Sequence, residues 1–275
     1  MKSLIPGALF CFALMGFLPG KSSPEGREYG WKFHPFSYQD TDSKEKKSDK
    51  ISSINSIKTG QWESSLPEKI DFINTNYLVY LPKDYNSPKL SSFPLIIFLH
   101  GRNEAGEDIR KIKLHGLPKM LESDSKFPFI VISPQCPSGT IWNHTDKMHE
   151  FLDQVLRIYK IDPKRIYLTG ISSGGFGTWS WAMDYPNDFA AIAPVSGTFY
   201  KDVNPGLSGM PVWIFHGLLD KDSRIHQDSL CFKQLSQNGN KVRFTVYTKG
   251  GHDVWNETYS NPELYSWFLR YSIPD

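Results

Sequence analysis

The chain predicts an α/β fold, a mostly parallel sheet flanked by helices on both faces. Three observations carry that prediction. Six short runs close on Gly or Pro, the first five of them apolar with little alternation: "PLIIFLHG" (94–101), "FPFIVISP" (127–134), "RIYLTG" (165–170), "FAAIAPVSG" (189–197), "MPVWIFHG" (210–217) and, last, "VRFTVYTKGG" (242–251). Strands covered by helices on both faces read this way. Segments with apolar residues at 3–4 spacing fall between them. One run also passes directly into "GISSGGFG", small residues that let a strand turn sharply into a helix. Strands alternating with helices build right-handed βαβ units. In such sheets reactive groups collect beyond the carboxyl ends of the strands.

Composition permits this fold. The 275 residues are 39% hydrophobic and 22% charged, an ordinary globular balance. A core built from some 200 of them buries roughly 70% of the unfolded surface, so no covalent staple is required. The net charge of +2 and pI near 8.3 argue for neither nucleic acid nor an acidic partner.

Taken in order, the chain opens with Lys2 and an apolar run over 4–18, followed by "PGK". The run is short for a membrane span and fits a secretory signal over 1–20. An uncleaved N-terminal anchor and a lipoprotein signal using Cys11 are the other readings. A secreted, periplasmic or cell-envelope location follows. Residues 21–59 lack apolar periodicity and carry the mixed-charge run "QDTDSKEKKSDK". They read as a disordered linker, because such a segment buries too little to offset its ordering entropy. Residues 60–275 form the remaining domain. Cys136 and Cys231 read as separate buried thiols rather than as a disulfide framework.

Within that domain, "NYLVYLP" (76–82) alternates and ends in Pro, so it predicts an early, antiparallel strand. The six runs follow. Between the third and fourth strands, residues 147–159 place Met148, Phe151, Leu152, Val155, Leu156 and Tyr159 on one helical stripe. Further helices are expected over 176–183, 224–238 and 262–271.

The strand ends carry the candidate chemistry. Gly170-Ile171-Ser172-Ser173-Gly174 is G-x-S-x-G, for which a chain this long shows only about 0.1 chance matches at average Gly and Ser usage. Placed between a strand and a helix, it lifts Ser172 to the helix N-terminus, where amide dipoles favour developing negative charge. Ser173 is the rival nucleophile, but only Ser172 has glycines at both −2 and +2. Serine needs a base, and the base needs an orienting carboxylate. After such a turn the chain order is Ser, acid, His. Asp220 follows "VWIFHG" at the first turn beyond the strand, and Asp222 is set in a more solvated stretch. His252 follows two glycines in "TVYTKGGHDVW". His226 falls in a helix with a surface position. His100 and His216 each close a strand and read as buried and bonded to backbone. A tetrahedral oxyanion needs two donors, and the N–H groups of Ser173 and Arg102 are the candidates. The eight histidines are scattered, with no H-E-x-x-H or C-x-x-C, so no metal or cofactor is expected.

The stretch "RIYLTGISSGGFGTWSWAMDYPNDFAAIAPVSG" resembles the nucleophile region of the alpha/beta-hydrolase esterases. These are the phospholipase/carboxylesterase-like, polyhydroxybutyrate-depolymerase-like and feruloyl-esterase-like serine esterases. "PLIIFLHGRNEAGED", "VISPQCPSGTIW", "PVWIFHGLLDKD" and "GGHDVWNETYSNPELYSWFL" resemble the group's other blocks in the same order. The resemblance runs from about Asn76 to the C-terminus. It implies a Ser172–His252–Asp220 triad, a carboxylic-ester hydrolase working through an acyl-enzyme, and a small-molecule or polymer-linked ester as substrate. It also implies that Gln135 and Trp142 bind substrate, since they fall in a block that resembles the family's cleft wall. Asn103, Ala105 and "DKDSRI" after the acid depart from the family pattern, and the departures bear on the oxyanion loop and on substrate range. A serine peptidase of the same fold and a catalytically idle binding protein are the alternative readings.

Overall fold

The computed structural model describes residues 56–124, 126–199, 207 and 209–274. The expected signal segment at 1–20 and most of the expected linker at 21–59 lie outside the described residues. The last residues of that linker already engage the domain: Ile57 and Asn86 exchange hydrogen bonds of 3.1 and 2.8 Å.

The described elements are β1 (Gly60–Ser65), β2 (Asn76–Leu81), β3 (Phe93–Leu99), α1 (Gly116–Leu121), β4 (Ile130–Pro134), α2 (Thr145–Ile158), β5 (Ile161–Ile171), α3 (Ser173–Asp184), β6 (Ala191–Val195), β7 (Val212–Gly217), α4 (Ile225–Gln237), β8 (Val242–Tyr247), α5 (Trp255–Ser260) and α6 (Pro262–Phe268). The strands form one sheet in the order β1-β2-β4-β3-β5-β6-β7-β8. β1 and β2 are antiparallel to their neighbours, as expected for β2, and β3 to β8 run parallel.

The continuous apolar runs have their physical cause in this layering. Every residue of β3, β4, β6 and β7 is buried. Leu95, Ile97 and Leu99 of β3 pack with Phe151 and Val155 of α2 and with Trp179 and Trp181 of α3. Ile96 and Phe98 point to the opposite face and pack with Leu117 of α1, Tyr259 of α5 and Trp267 of α6. Each such side chain contributes about 1.5–3 kcal/mol on burial, so apolar residues dominate both faces. β8 lies at one edge, where Arg243 covers the Trp213 ring at 3.7 Å and pairs with Glu263 at 2.9 Å. Charge there discourages strand addition by another chain.

The structure adds β1, α1 and α5 to the elements expected from sequence. β1, "GQWESS", has no apolar period of its own; its register against β2, from Gly60↔Leu81 to Ser65↔Asn76, holds it. Cys136 and Cys231 are buried and unpaired. Among the described residues no helix is long and apolar enough to cross a membrane.

Candidate active site

Ser172 sits between β5 and α3 with φ 53 and ψ −116, a left-handed conformation that a serine adopts only when its surroundings compel it. Its N–H donates to Val195 O on β6 at 2.9 Å, and its C=O accepts from Phe176 N at 3.1 Å. The glycines around it answer a packing demand. A Cβ at Gly170 would stand 2.4 Å from Gly174 O, and one at Gly174 would stand 2.0 Å from Leu99 O. The helix start therefore lies directly on the end of β3, and the serine has nowhere to go but outward.

Asp220 follows β7 and His252 follows β8. The loops approach so closely that a Cβ at Gly217 would stand 2.0 Å from Gly251 O. Leu219 N donates to Gly250 O at 2.9 Å and ties them together. His252 Nε2 lies 2.9 Å from Ser172 Oγ, and His252 Nδ1 lies 2.8 Å from Asp220 Oδ2. The Asp220 side chain has no solvent exposure, whereas His252 keeps 21%. Asp220 Oδ1 accepts from the backbone N–H of Asp222 at 2.8 Å and of Ser223 at 2.9 Å. Ser223 Oγ donates to Oδ2 at 2.7 Å. Burial alone would push the Asp220 carboxyl up, but hydrogen bonds from His252, Ser223 and Asp222 hold it below its ordinary value.

Ser172 and His252 open into a cleft of ≈ 630 Å³, which Arg102, Ser173, Phe176, Ile141 and Trp255 also line. Arg102 begins a 3-10 turn, Arg102–Glu104, directly after β3 and Gly101. Ser173 is the first residue of α3. The arrangement can therefore deliver a proton acceptor to the serine hydroxyl, with the starts of α3 and of the 3-10 turn on the cleft beside it.

Known proteins similar to this chain include esterases. A crystal structure of a thermostable esterase is similar with a TM-score of 0.63 and 28% identity, over 77% of this chain and 62% of that one. The bifunctional acetylxylan esterase/xylanase XynS20E of Neocallimastix patriciarum is 29% identical over 184 residues, 63% of this chain and 26% of that protein. The chain has the α/β-hydrolase fold and is similar to esterases of that fold. No family model matches it. Dipeptidyl peptidase family member 1 of Caenorhabditis elegans is also similar, 24% identical over 230 residues and 29% of that protein. The chain thus spans little more than a quarter of the length of these two curated relatives.

Two expected site residues of this α/β hydrolase are placed elsewhere. Gln135 and Trp142 do not line the cleft; both are almost fully buried one layer behind it. Gln135 Nε2 donates to Glu104 O at 2.7 Å and Asp108 O at 3.0 Å. Trp142 Nε1 donates to His100 O at 2.9 Å. They brace the loop after β3, because its orphaned carbonyls need donors once buried. The assignment of both as substrate contacts is corrected accordingly. His100 matches its expected character. Its Nδ1 faces Gly101 O at 2.6 Å, its Nε2 accepts from Cys136 N at 3.2 Å, and burial lowers its pKa to about 4. His216 is buried as expected, but its partners are carboxylates rather than backbone.

Sequence reasoning missed several groups that line the cleft. Glu104 is 4% exposed, and its Oε1 lies 3.6 Å from His115 Nε2. Burial pushes the Glu104 carboxyl up, with His115 opposing. Trp255 meets both His252 and His115 edge to face. No local period marks these positions, since loops carry them. Asp220, Asp222 and His252 bring three ligand-type atoms within 4.8 Å of one another, the kind of group that the sequence pattern did not contain. Two of the three residues already bond to each other within the serine–histidine–aspartate line, so the donor set is committed there.

Proposed function

We propose that the chain hydrolyses carboxylic esters through an acyl-enzyme, with Ser172, His252 and Asp220 as the triad. The observation that carries this reading is the unbroken hydrogen-bonded line from Ser172 Oγ through both ring nitrogens of His252 to the buried Asp220 carboxylate. Ser172 Oγ attacks the ester carbonyl carbon while His252 Nε2 takes its proton. The carbonyl oxygen becomes an anion between the N–H groups of Ser173 and Arg102. His252 then passes the proton to the departing alkoxide, which leaves as the alcohol. Water repeats the sequence on the acyl-serine and releases the acid. Asp220 holds the Nδ1–H tautomer and stabilises the imidazolium.

The cleft supports a polar alcohol. Arg102, Asn103, Glu104, Ser196, Thr198 and Ser223 line it beside the apolar Ile141, Ile171, Phe176 and Trp255. This suits a short acyl group on a polyhydroxylated carrier, in keeping with the acetylxylan esterase named among the relatives. A panel of p-nitrophenyl esters of increasing acyl length, run beside acetylated xylan, tests the reading. It expects highest kcat/KM on acetyl esters, and turnover that rises with acyl length would refute it. The peptidase reading has the Caenorhabditis relative in its favour. It is tested by peptide anilides in the same panel and prevails if they are cleaved faster than the esters. The apolar run at 4–18 behind Lys2 supports export to the medium or cell envelope. N-terminal sequencing of the mature protein checks it, and an intact Met1 on cytoplasmic protein would exclude it.

A further inference from the structure

Outside the cleft lining, two more titratable groups stand against the triad. His216 is the penultimate residue of β7, and Asp228 lies in the first turn of α4. His216 has no exposed side-chain surface and Asp228 has 1%. His216 Nδ1 lies 2.6 Å from Asp228 Oδ2, and its Nε2 lies 3.1 Å from Asp220 Oδ2, the oxygen that faces His252. Nothing in the hydrolysis just described uses this pair.

The protons of the cluster can be counted. Asp220 is a carboxylate and only accepts. Ser223 Oγ has one proton, and the shortest of its contacts is Asp220 Oδ2 at 2.7 Å, against 3.1 Å to both Ser196 O and His216 Nε2. The proton therefore goes to Asp220, and Ser223 Oγ presents a lone pair to His216. A bare Nε2 would then face two lone pairs at 3.1 Å, so Nε2 carries a hydrogen. On the other side, a single proton lies between Nδ1 and Asp228 Oδ2. Asp228 Oδ1 is buried and has no hydrogen-bond partner among the described residues. A full carboxylate charge is costly there, and burial pushes the Asp228 carboxyl up. The pair is thus neutral in sum and directs one N–H toward Asp220 and Ser223.

We infer that Asp228 and His216 form a buried positioning pair behind the triad, whose Nε2–H holds the Asp220 carboxylate ionised and aimed at His252. The inference rests on the hydrolase reading of Ser172, His252 and Asp220. Four groups bear on the pair's proton. Asp228 and the buried Cys231, whose thiol burial and Asp228 push up to about 12, come from α4. Asp220 comes from the loop after β7, and His252 comes from the loop after β8 by way of Asp220. A donor withdrawn from Asp220 leaves more negative charge facing His252. That charge favours the imidazolium of the catalytic pair, and the acid limb of kcat/KM moves upward.

Two substitutions separate this role from simple packing, because each keeps one end of the imidazole. His216→Asn preserves the polar atom toward Asp228 and removes the donor to Asp220. It should lower kcat on a p-nitrophenyl ester by about 10- to 100-fold and raise the acid limb by about half a unit or more. His216→Gln returns an N–H near the Nε2 position and should recover most of both. Equal losses in the two variants, with the acid limb unmoved, would overturn the inference, as would wild-type kinetics in His216→Asn. If neither variant folds, ¹⁵N-histidine NMR of the wild-type protein decides. His216 should carry a hydrogen on Nε2, and a bare Nε2 would overturn the assignment. The NMR measurement uses no ester substrate, so it stands even if the hydrolase reading fails.

Discussion

Replacing Asp220 by Asn tests the triad at the atom on which it turns. The backbone N–H groups of Asp222 and Ser223 both donate to Oδ1, at 2.8 and 2.9 Å. Those backbone donors cannot turn away, whereas the Ser223 hydroxyl can swing to Ser196 O at 3.1 Å and the two imidazoles facing Oδ2 can change tautomer, so an asparagine keeps its oxygen at the Oδ1 position and places its amide nitrogen where Oδ2 now stands. The reverse orientation would leave two N–H groups facing an NH2 group, at about 1–3 kcal/mol each. The amide nitrogen then confronts His252 Nδ1, 2.8 Å away in the wild type. It can only donate, so Nδ1 becomes the acceptor and the ring proton shifts to Nε2. Nε2 cannot then accept the Ser172 proton. The expected loss is about 10⁴-fold in kcat near neutral pH, equivalent to about 5.5 kcal/mol at 1.36 kcal/mol per decade. Asp222→Asn is the matched control. Its side chain is exposed, and only its backbone N–H serves Asp220, so its effect should stay below about 3-fold. Both variants are compared on one p-nitrophenyl ester, with circular dichroism to verify folding. A crippled Asp222→Asn, or an Asp220→Asn within 10-fold of wild type, would refute the reasoning.

Ser172→Ala should fold normally and lose hydrolysis by several orders of magnitude, with a small residue left by the oxyanion donors. A fluorophosphonate probe should label Ser172 in the wild type, and mass-spectrometric localisation on Ser173 would reassign the nucleophile. Gly174→Ala would press a methyl group to 2.0 Å from Leu99 O, so it should cost about 3 kcal/mol or more in urea unfolding; an unchanged midpoint would mean that the turn is looser than drawn. Burial holds His100 at about 4, below the roughly 6.5 of an unfolded histidine. The native state therefore prefers the neutral ring. Stability from this site is complete above about pH 6.5 and is lost as pH falls toward 4, by about 3 kcal/mol in all. In His100→Asn the drop in unfolding free energy between pH 7 and 4.5 should shrink correspondingly, and an equal drop in both proteins would exclude His100 as its source.

The layered sheet was legible because burial on both faces imposes a local rule on composition. A strand such as "PLIIFL" can be read without knowing its neighbours. Ser172 was legible for a similar reason. A strand-to-helix turn this tight excludes side chains at fixed offsets, and Gly170 and Gly174 record that exclusion in the sequence. The order of serine, aspartate and histidine along the chain then singled out Asp220 and His252, which the fold brings into one hydrogen-bonded line.

What the chain kept hidden depends on pairings between elements. β1 owes its strand to β2 rather than to its own pattern. Gln135 and Trp142 stand in a block associated with the cleft wall, yet their donors turn inward to carbonyls of the loop after β3. His216 looked like any histidine that closes a buried strand. Only α4, folding back over β7, sets Asp228 at 2.6 Å from one ring nitrogen, while the loop between them sets Asp220 at 3.1 Å from the other. Burial and periodicity are written residue by residue, so the chain alone determines them. The partner of a buried polar atom is chosen by whichever distant segment arrives with a matching donor or acceptor, and only the tertiary structure decides that.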